Sequence, residues 1–122
     1  MWRSHMSRFP ATDSKLDLLQ GTLDLMVLQT LEALGPQHGY AIASRLEHVS
    51  AGALRLNMGT LYPAMMRLEQ RGLLKGTWGT TDTNRKARFY ALTASGRREL
   101  VKEKAAWDRT TAIMRAVLQG DS

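Results

Sequence analysis

The feature that most constrains this chain is a change of hydrophobic period near residue 73. Before it, apolar residues recur at three- and four-residue steps in three successive segments, and after it they alternate along two short runs. Steps of three and four are typical of amphipathic helices, whereas alternation is typical of strands. A last, longer segment returns to the helical period. The predicted order is therefore three short helices, a two-stranded hairpin and a long C-terminal helix.

The first predicted helix, residues 22–34, is unusual because it is apolar nearly all round. The dipeptide Gly35-Pro36 marks its end. Apolar side chains on the face opposite the main stripe come from Leu18, Leu19, Leu25 and Leu28. Such a helix must be covered on both sides, and in a chain of 122 residues the second cover is most readily another subunit. We therefore expect these four leucines at a dimer interface.

The second and third predicted helices are separated by the loop 50–56. The second spans residues 39–49, and its inward side chains are predicted to be Tyr40, Ala43 and Leu46. The third starts at Asn57, a favourable N-cap residue, and runs to Arg71, followed by Gly72, the residue type preferred just past a helix.

The remaining chain is predicted to form the hairpin and the last helix. Residues 73–78 pair with residues 87–92 around a polar tip. The last helix, residues 94–118, repeats large apolar side chains at seven-residue steps, a spacing typical of a seam for another helix. The dimer contacts expected from it are Leu100, Trp107, Met114 and Leu118.

The charge is concentrated in the middle of the chain. Residues 51–98 hold nine Lys or Arg against two Asp or Glu, whereas residues 1–50 have a net charge of −1 and residues 99–122 of zero. A basic segment of this kind is typical of a surface that meets a polyanion, because each neutralised phosphate releases counterions. The alternative is an ordinary solvated basic surface.

Several classes of protein are excluded by what the sequence lacks. There is no Cys, so disulfides, thiolate metal sites and thiol nucleophiles are excluded. No phosphate-binding loop, HExxH or GxSxG motif occurs, and the three histidines suggest neither a metal site nor a triad. We expect no enzyme, no cofactor and no metal. The longest apolar run, residues 25–28, is too short to span a bilayer, so a cytoplasmic protein without membrane contact is expected.

Five short motifs, in order, resemble the PadR family of transcriptional regulators, and together they span roughly residues 16–118. They are Gly21-Thr22-Leu23-Asp24-Leu25, His38-Gly39-Tyr40-Ala41-Ile42, Gly59-Thr60-Leu61-Tyr62-Pro63, Leu68-Glu69-Gln70-Arg71-Gly72-Leu73-Leu74 and Tyr90-Ala91-Leu92-Thr93-Ala94-Ser95-Gly96. The single C-terminal helix is similar to that of the small PadR subfamily.

The resemblance implies a mainly α fold with a small two-stranded β-wing, a winged helix-turn-helix followed by a C-terminal dimerisation helix. Residues 1–14 would be a disordered extension or tag remnant, residues 15–93 the DNA-binding domain and residues 94–122 the dimerisation helix. It further implies a homodimeric repressor of a pseudo-palindromic double-stranded operator. The two recognition helices of such a dimer lie about one DNA turn apart, roughly 34 Å.

Candidate DNA contacts follow from this geometry. The third helix enters the major groove and the hairpin tip reaches flanking DNA. The residues placed there are His38, Tyr40, Asn57, Met58, Thr60, Tyr62, Arg67, Asn84, Arg85, Lys86 and Arg88. Asn57 has the alternative role of an N-cap, and Tyr40 and Tyr62 have the alternative role of core packing.

A small aromatic effector is a further possible partner, because dimer interfaces of PadR-like regulators can bind planar ligands. The residues suited to such a pocket are Trp107, Met114 and Met26. Trp107 has the alternative role of packing in the dimer seam. For the whole chain, the alternative function is a winged-helix module that binds proteins without specific DNA binding.

Overall fold

A computed structural model describes residues 20–120 and confirms the mainly helical fold with a small sheet. The elements, in chain order, are α1 (Gln20–Leu34), β1 (Gln37–His38), α2 (Gly39–Val49), α3 (Met58–Gln70), β2 (Leu74–Thr80), β3 (Lys86–Leu92) and α4 (Ala94–Gln119). The described residues do not include Leu18 and Leu19, which are expected at the dimer interface, or the extension 1–14.

The wing differs from the prediction in having three strands rather than two. The sheet is antiparallel in the order β1-β3-β2, and β1 pairs Gln37 with Tyr90 and His38 with Phe89. A strand of two residues has no hydrophobic period, so the sequence pattern gives no sign of it. The two long strands also reach further than predicted and leave only residues 81–85 as the tip.

Residues from every long element meet in one core. Its largest fully buried side chains come from the first three helices: Val27, Leu28, Leu31, Ile42, Leu61, Met65 and Leu68. Leu74 and Tyr90 add the inner face of the sheet, and Leu100 adds the first turns of α4. The core thus fixes α3 against both the other helices and the wing.

Both ends of α3 are formed by local sequence signals. The side-chain oxygen of Asn57 accepts a hydrogen bond from the backbone N–H of Thr60 at 2.9 Å, which confirms the N-cap. At the other end Gly72 has a φ of 77°, the left-handed conformation that favours glycine. The Thr93 hydroxyl donates to the Gly72 carbonyl at 2.7 Å and accepts from the Gly96 N–H, so one side chain links the end of α3 to the start of α4.

Two residues predicted at the dimer interface, Leu28 and Leu100, belong instead to the core of the protomer itself. Leu28 is 1% exposed and Leu100 is 4% exposed. The physical reason is that α1 is covered by α2 and α3 on one side and by the first turns of α4 on another. More of its circumference is therefore used within the protomer than the sequence pattern suggests.

The inward face of α2 also differs from the prediction. Ile42 and Leu46 are buried with Gly39, Ala43 is half-buried, and Tyr40 is 72% exposed. Tyr40 therefore does not pack in the core. Ile42, two residues further along the helix, provides the buried side chain instead.

Candidate nucleic-acid interface

The outward face of α3 is open to solvent. Between Gly59 and Glu69, the exposed positions are Gly59 itself, Tyr62, Pro63 and Met66. The opposite face carries the buried residues Leu61, Ala64, Met65 and Leu68. An α-helix presented in this way has the dimensions that the DNA major groove admits. This face could therefore enter the groove without breaking the packing of the buried face of α3.

The residues predicted at the start of α3 take different roles. Asn57 caps the helix and is also exposed, so it stands where a helix N-terminus can meet a phosphate. Met58 is half-buried at the junction of α2 and α3, where a Cβ added to Gly39 would lie 2.5 Å from the Met58 Cε atom. Met58 therefore packs between the two helices rather than on the outward face. Thr60 is half-buried and donates its backbone N–H to the cap.

Arg67 does not lie free on the outer face of α3 as predicted. Its Nη2 donates to the Asp24 carboxylate of α1 at 2.9 Å, and the two side chains are 32% and 13% exposed. The Arg67 Nε atom is buried and has no hydrogen-bond acceptor within residues 20–120. A guanidinium held this way joins α1 to α3, so its predicted phosphate contact is corrected to a structural role.

The tip of the wing presents cations as predicted. Asn84 occupies the turn with a φ of 63°, a left-handed conformation that Asn tolerates better than most residues. Backbone bonds between Thr81 and Arg85 close the tip, and Asn84, Arg85 and Lys86 are all exposed there. Two exposed cations therefore lie at this end of the wing, Arg85 in the tip and Lys86 at the adjoining end of β3, with the exposed Asp82 nearby in the tip.

Arg88, the third predicted wing cation, is tethered. Its Nη2 donates to the Glu69 carboxylate of α3, and this hydrogen bond raises the pKa of Arg88 above its ordinary value. Its guanidinium also lies 5.9 Å from the ring centroids of both Trp78 and Tyr90. The pair fixes the wing against α3.

Trp78 is an exposed aromatic residue that is not among the DNA contacts predicted from the sequence. It is 64% exposed, and the Lys86 Nζ atom lies 5.7 Å from its ring centroid. The pairing of the two strands is the signal that could have indicated it. Trp78 lies opposite Arg88 and therefore on the same face of the sheet as Lys86 and Tyr90. Burial, followed by the electrostatic effect of the Tyr62 phenol, raises the pKa of Tyr90. The hydrogen bond from Arg88 to Glu69 places this face of the wing beside α3. The open face of α3 is therefore continuous with a cationic, aromatic surface on the wing.

A groove of about 560 Å³ lies beside the wing tip. The residues lining it include the exposed Tyr40, His38, Arg85 and Lys86. The His38 ring meets the Phe89 ring edge to face at 5.3 Å, which fixes the imidazole at the start of α2. The structure thus brings the predicted contacts of α2 and of the wing tip together along one groove.

The family is decided by a sequence model described as the transcriptional regulator PadR-like family, which matches residues 27–102. The chain belongs to this family. Its members are transcriptional regulators rather than enzymes, and the predicted family is confirmed.

Solved structures of PadR-like regulators share the fold. A PadR family transcriptional regulator from Eggerthella lenta is 31% identical, with a TM-score of 0.72 over 87% of this chain and 89% of that one. A transcriptional regulator from Clostridium thermocellum is 25% identical, with a TM-score of 0.72 over 81% of this chain and 92% of that one.

A curated relative is much longer. An uncharacterised 37.1 kDa protein in transposon Tn4556 of Streptomyces fradiae is 39% identical over 79 residues, which are 65% of this chain and 21% of that protein. This PadR-like chain therefore spans about a fifth of that relative's length.

The predicted effector residues are not all brought together within one protomer. Trp107 and Met114 line a depression of about 570 Å³ on α4. Met26 lies beside the half-buried Leu25 in a separate groove of about 550 Å³ between α1 and α2, with Lys104 at its edge. Within a single protomer, only Trp107 and Met114 share a surface.

Within residues 20–120, no helix is both long and apolar enough to cross a membrane. Nor does that part of the chain contain a group of three or more His, Asp or Glu side chains able to hold a metal ion.

Proposed function

We propose that this chain is a homodimeric repressor that binds a pseudo-palindromic operator through α3 and the wing. The observation that carries the proposal is the continuity between the open face of α3 and the cations of the wing. Met66 and Tyr62 belong to the first surface, and Lys86 and Arg85 to the second. Helix α3 enters the major groove, and the wing contacts the neighbouring phosphates.

Homodimerisation is supported by the exposed part of α4. The face of α4 that buries Gly96 and Leu100 in the protomer continues beyond the domain with Trp107, Met114 and Leu118. These three side chains are 48%, 52% and 76% exposed. A helix face that carries large apolar side chains on several turns, with Glu103 and Thr111 between them, but is covered only at its start favours packing against a further helix. A second copy of α4 or α1 would supply one.

Relief of repression by a small planar ligand completes the proposal. Trp107 offers an exposed indole for stacking, and Met114 offers an adaptable wall beside it. Because α4 starts where the wing ends, a ligand in this seam would change the separation of the two α3 helices. A fixed operator would then fit less well.

The test is an anisotropy titration of a labelled duplex taken from the DNA just upstream of this chain's own gene. A scrambled duplex of the same composition is the control, and both are measured at two salt concentrations. We expect binding to the upstream duplex to be about 10³-fold tighter than to the scrambled one. Equal and steeply salt-dependent binding to both would contradict an operator in that region.

Absence of binding to either duplex would overturn the proposal. It would favour the alternative, a winged-helix module that binds proteins. That module has no reason to place Arg85 and Lys86 at an exposed wing tip beside an open helix face.

A further inference from the structure

We infer that α3 identifies its operator mainly by contact with the 5-methyl groups of thymine, and that Met66 makes the central contact. This inference rests on the proposed function and names what α3 reads in the major groove. It follows from which side chains the outward face of α3 offers and which it withholds.

The middle of the outward face of α3 is nearly devoid of hydrogen-bonding side chains, and the exposed amides Asn57 and Gln70 lie at the two ends of the helix. The exposed positions between residues 59 and 69 are Gly59, Tyr62, Pro63 and Met66, and only the tyrosine carries a polar group. Direct readout of guanine or adenine in the major groove depends on Arg, Lys, Asn or Gln. None of these four types is exposed between residues 59 and 69.

The two charged residues of α3, both in its last turn, are already engaged by carboxylate or guanidinium partners. Arg67 donates to Asp24 at 2.9 Å and turns toward α1. Glu69 accepts from Arg88 and turns toward the wing. Neither can reach a base edge without breaking an ion pair that joins α3 to another element. Before that turn, apart from the Tyr62 hydroxyl, the outward face presents carbon and sulfur to the DNA.

Thymine is the base whose major-groove edge matches such a surface, because its 5-methyl group is the apolar feature of that edge. Met66 is 53% exposed, one helical turn beyond Tyr62 and three residues after Pro63. Its side chain is flexible and polarisable, which suits it to packing on a methyl group. Tyr62, the other large exposed side chain of this face, ends in a phenol hydroxyl, a group that can hydrogen-bond a phosphate. This leaves Met66 as the side chain placed over the base edges.

The experiment begins with a duplex selected from a random-sequence library by the full chain. The enriched duplex is then synthesised with deoxyuridine in place of each thymidine in turn. Uracil keeps the hydrogen-bonding groups of thymine and lacks only the methyl group. We expect one or two thymines in each half-site at which the substitution weakens binding about four-fold, the value of one buried methyl group.

Two variants assign the effect to Met66. Met66→Ala should bind the thymine duplex more weakly and show less than about 1.5-fold discrimination against uracil at those positions, since no methyl is then buried. Met66→Leu keeps an apolar side chain of similar size and should retain the discrimination. Because Met66 is exposed, both variants should unfold at the wild-type temperature. Uracil at thymines outside the protected site is the internal control.

The outcomes separate this inference from the proposed function. If the library yields an enriched duplex but uracil leaves the affinity unchanged, α3 does not read thymine methyls and the inference is overturned while the repressor proposal stands. The inference is likewise overturned, and the repressor proposal stands, if uracil weakens the binding of Met66→Ala by the full factor of about four, because another side chain would then contact the methyl group. If no duplex is enriched at all, the proposed function fails and the inference fails with it.

Discussion

At the scale of single residues, the ability of a Lys or Arg side chain to bind phosphate depends on whether a carboxylate of the same chain already pairs with it. Arg85 and Lys86 are exposed at the wing tip, whereas Arg67 and Arg88 are held by Asp24 and Glu69. A tethered guanidinium contributes less to phosphate binding, because its charge is already partly neutralised. The charge count of the sequence thus overstates the number of cations that are free to meet DNA.

Glu69→Gln tests this tethering at the Arg88 position. The substitution removes the carboxylate that holds Arg88, so the guanidinium becomes free to contact a phosphate. We expect the slope of log affinity against log salt, measured on a duplex without operator sequence, to steepen by about one per protomer. Stability should change little, since both side chains are 30% exposed. Glu32→Gln, which breaks the exposed pair with Arg97 on α4, is the control that should leave the slope unchanged.

Asp24→Ala tests the tethering of Arg67. It leaves a half-buried guanidinium without its acceptor, and the Arg67 Nε atom already has none within the described residues. We expect the free energy of unfolding to fall by about 2 kcal/mol in a denaturant titration. Glu47→Ala removes the partner of Arg55 in a pair that is 52% and 78% exposed, and it should cost at most about 0.5 kcal/mol. Equal losses in the two variants would contradict a structural role for Asp24.

At the scale of elements, the wing tip and the wing base have separate roles. The base is fixed to α3 through Arg88, and the exposed cations Arg85 and Lys86 lie in the tip and at the adjoining end of β3. Arg85→Ala combined with Lys86→Ala should therefore reduce the salt slope by about two per protomer. Discrimination between operator and scrambled duplex should change little, because phosphate contacts carry no sequence information directly. An unchanged slope would remove the tip from the interface.

How much of these elements could be predicted depends on how local the signal is. The ends of α3 follow from Asn57 and Gly72, whose conformational preferences act within a turn, and both were predicted. The strand β1 could not be predicted, because two residues have no period and its pairing depends on Phe89 far along the chain. The ion pair of Asp24 with Arg67 joins residues 43 positions apart, so the sequence shows both charges but not their contact.

At the scale of the whole molecule, α4 belongs to two environments. Its first turns complete the core through Leu100, and the same helix face then leaves the domain with its large apolar side chains exposed. The long helix therefore converts a core contact of one protomer into a surface for another. The effector proposal depends on this arrangement, because Trp107 lies on the exposed part.

Met114→Glu combined with Leu118→Glu tests whether that surface holds the dimer together. Two carboxylates in an apolar seam would repel their counterparts and lose solvation on association, so the chain should sediment as a monomer. Neither position belongs to the core, so the helical circular-dichroism signal should remain. Operator affinity should fall by about 100-fold or more, since two half-sites are no longer bound by one linked molecule.

The matched control places the same charges on the opposite face of α4. Ala112 and Ala116 are exposed and lie about half a turn away from Trp107 and Met114. Ala112→Glu combined with Ala116→Glu should leave the chain a dimer with nearly unchanged operator affinity. If instead the control dissociates while the seam variant remains dimeric, the dimer uses the other face of α4. Because Trp107 would then lie outside the dimer interface, its indole would be available to a ligand in each protomer separately.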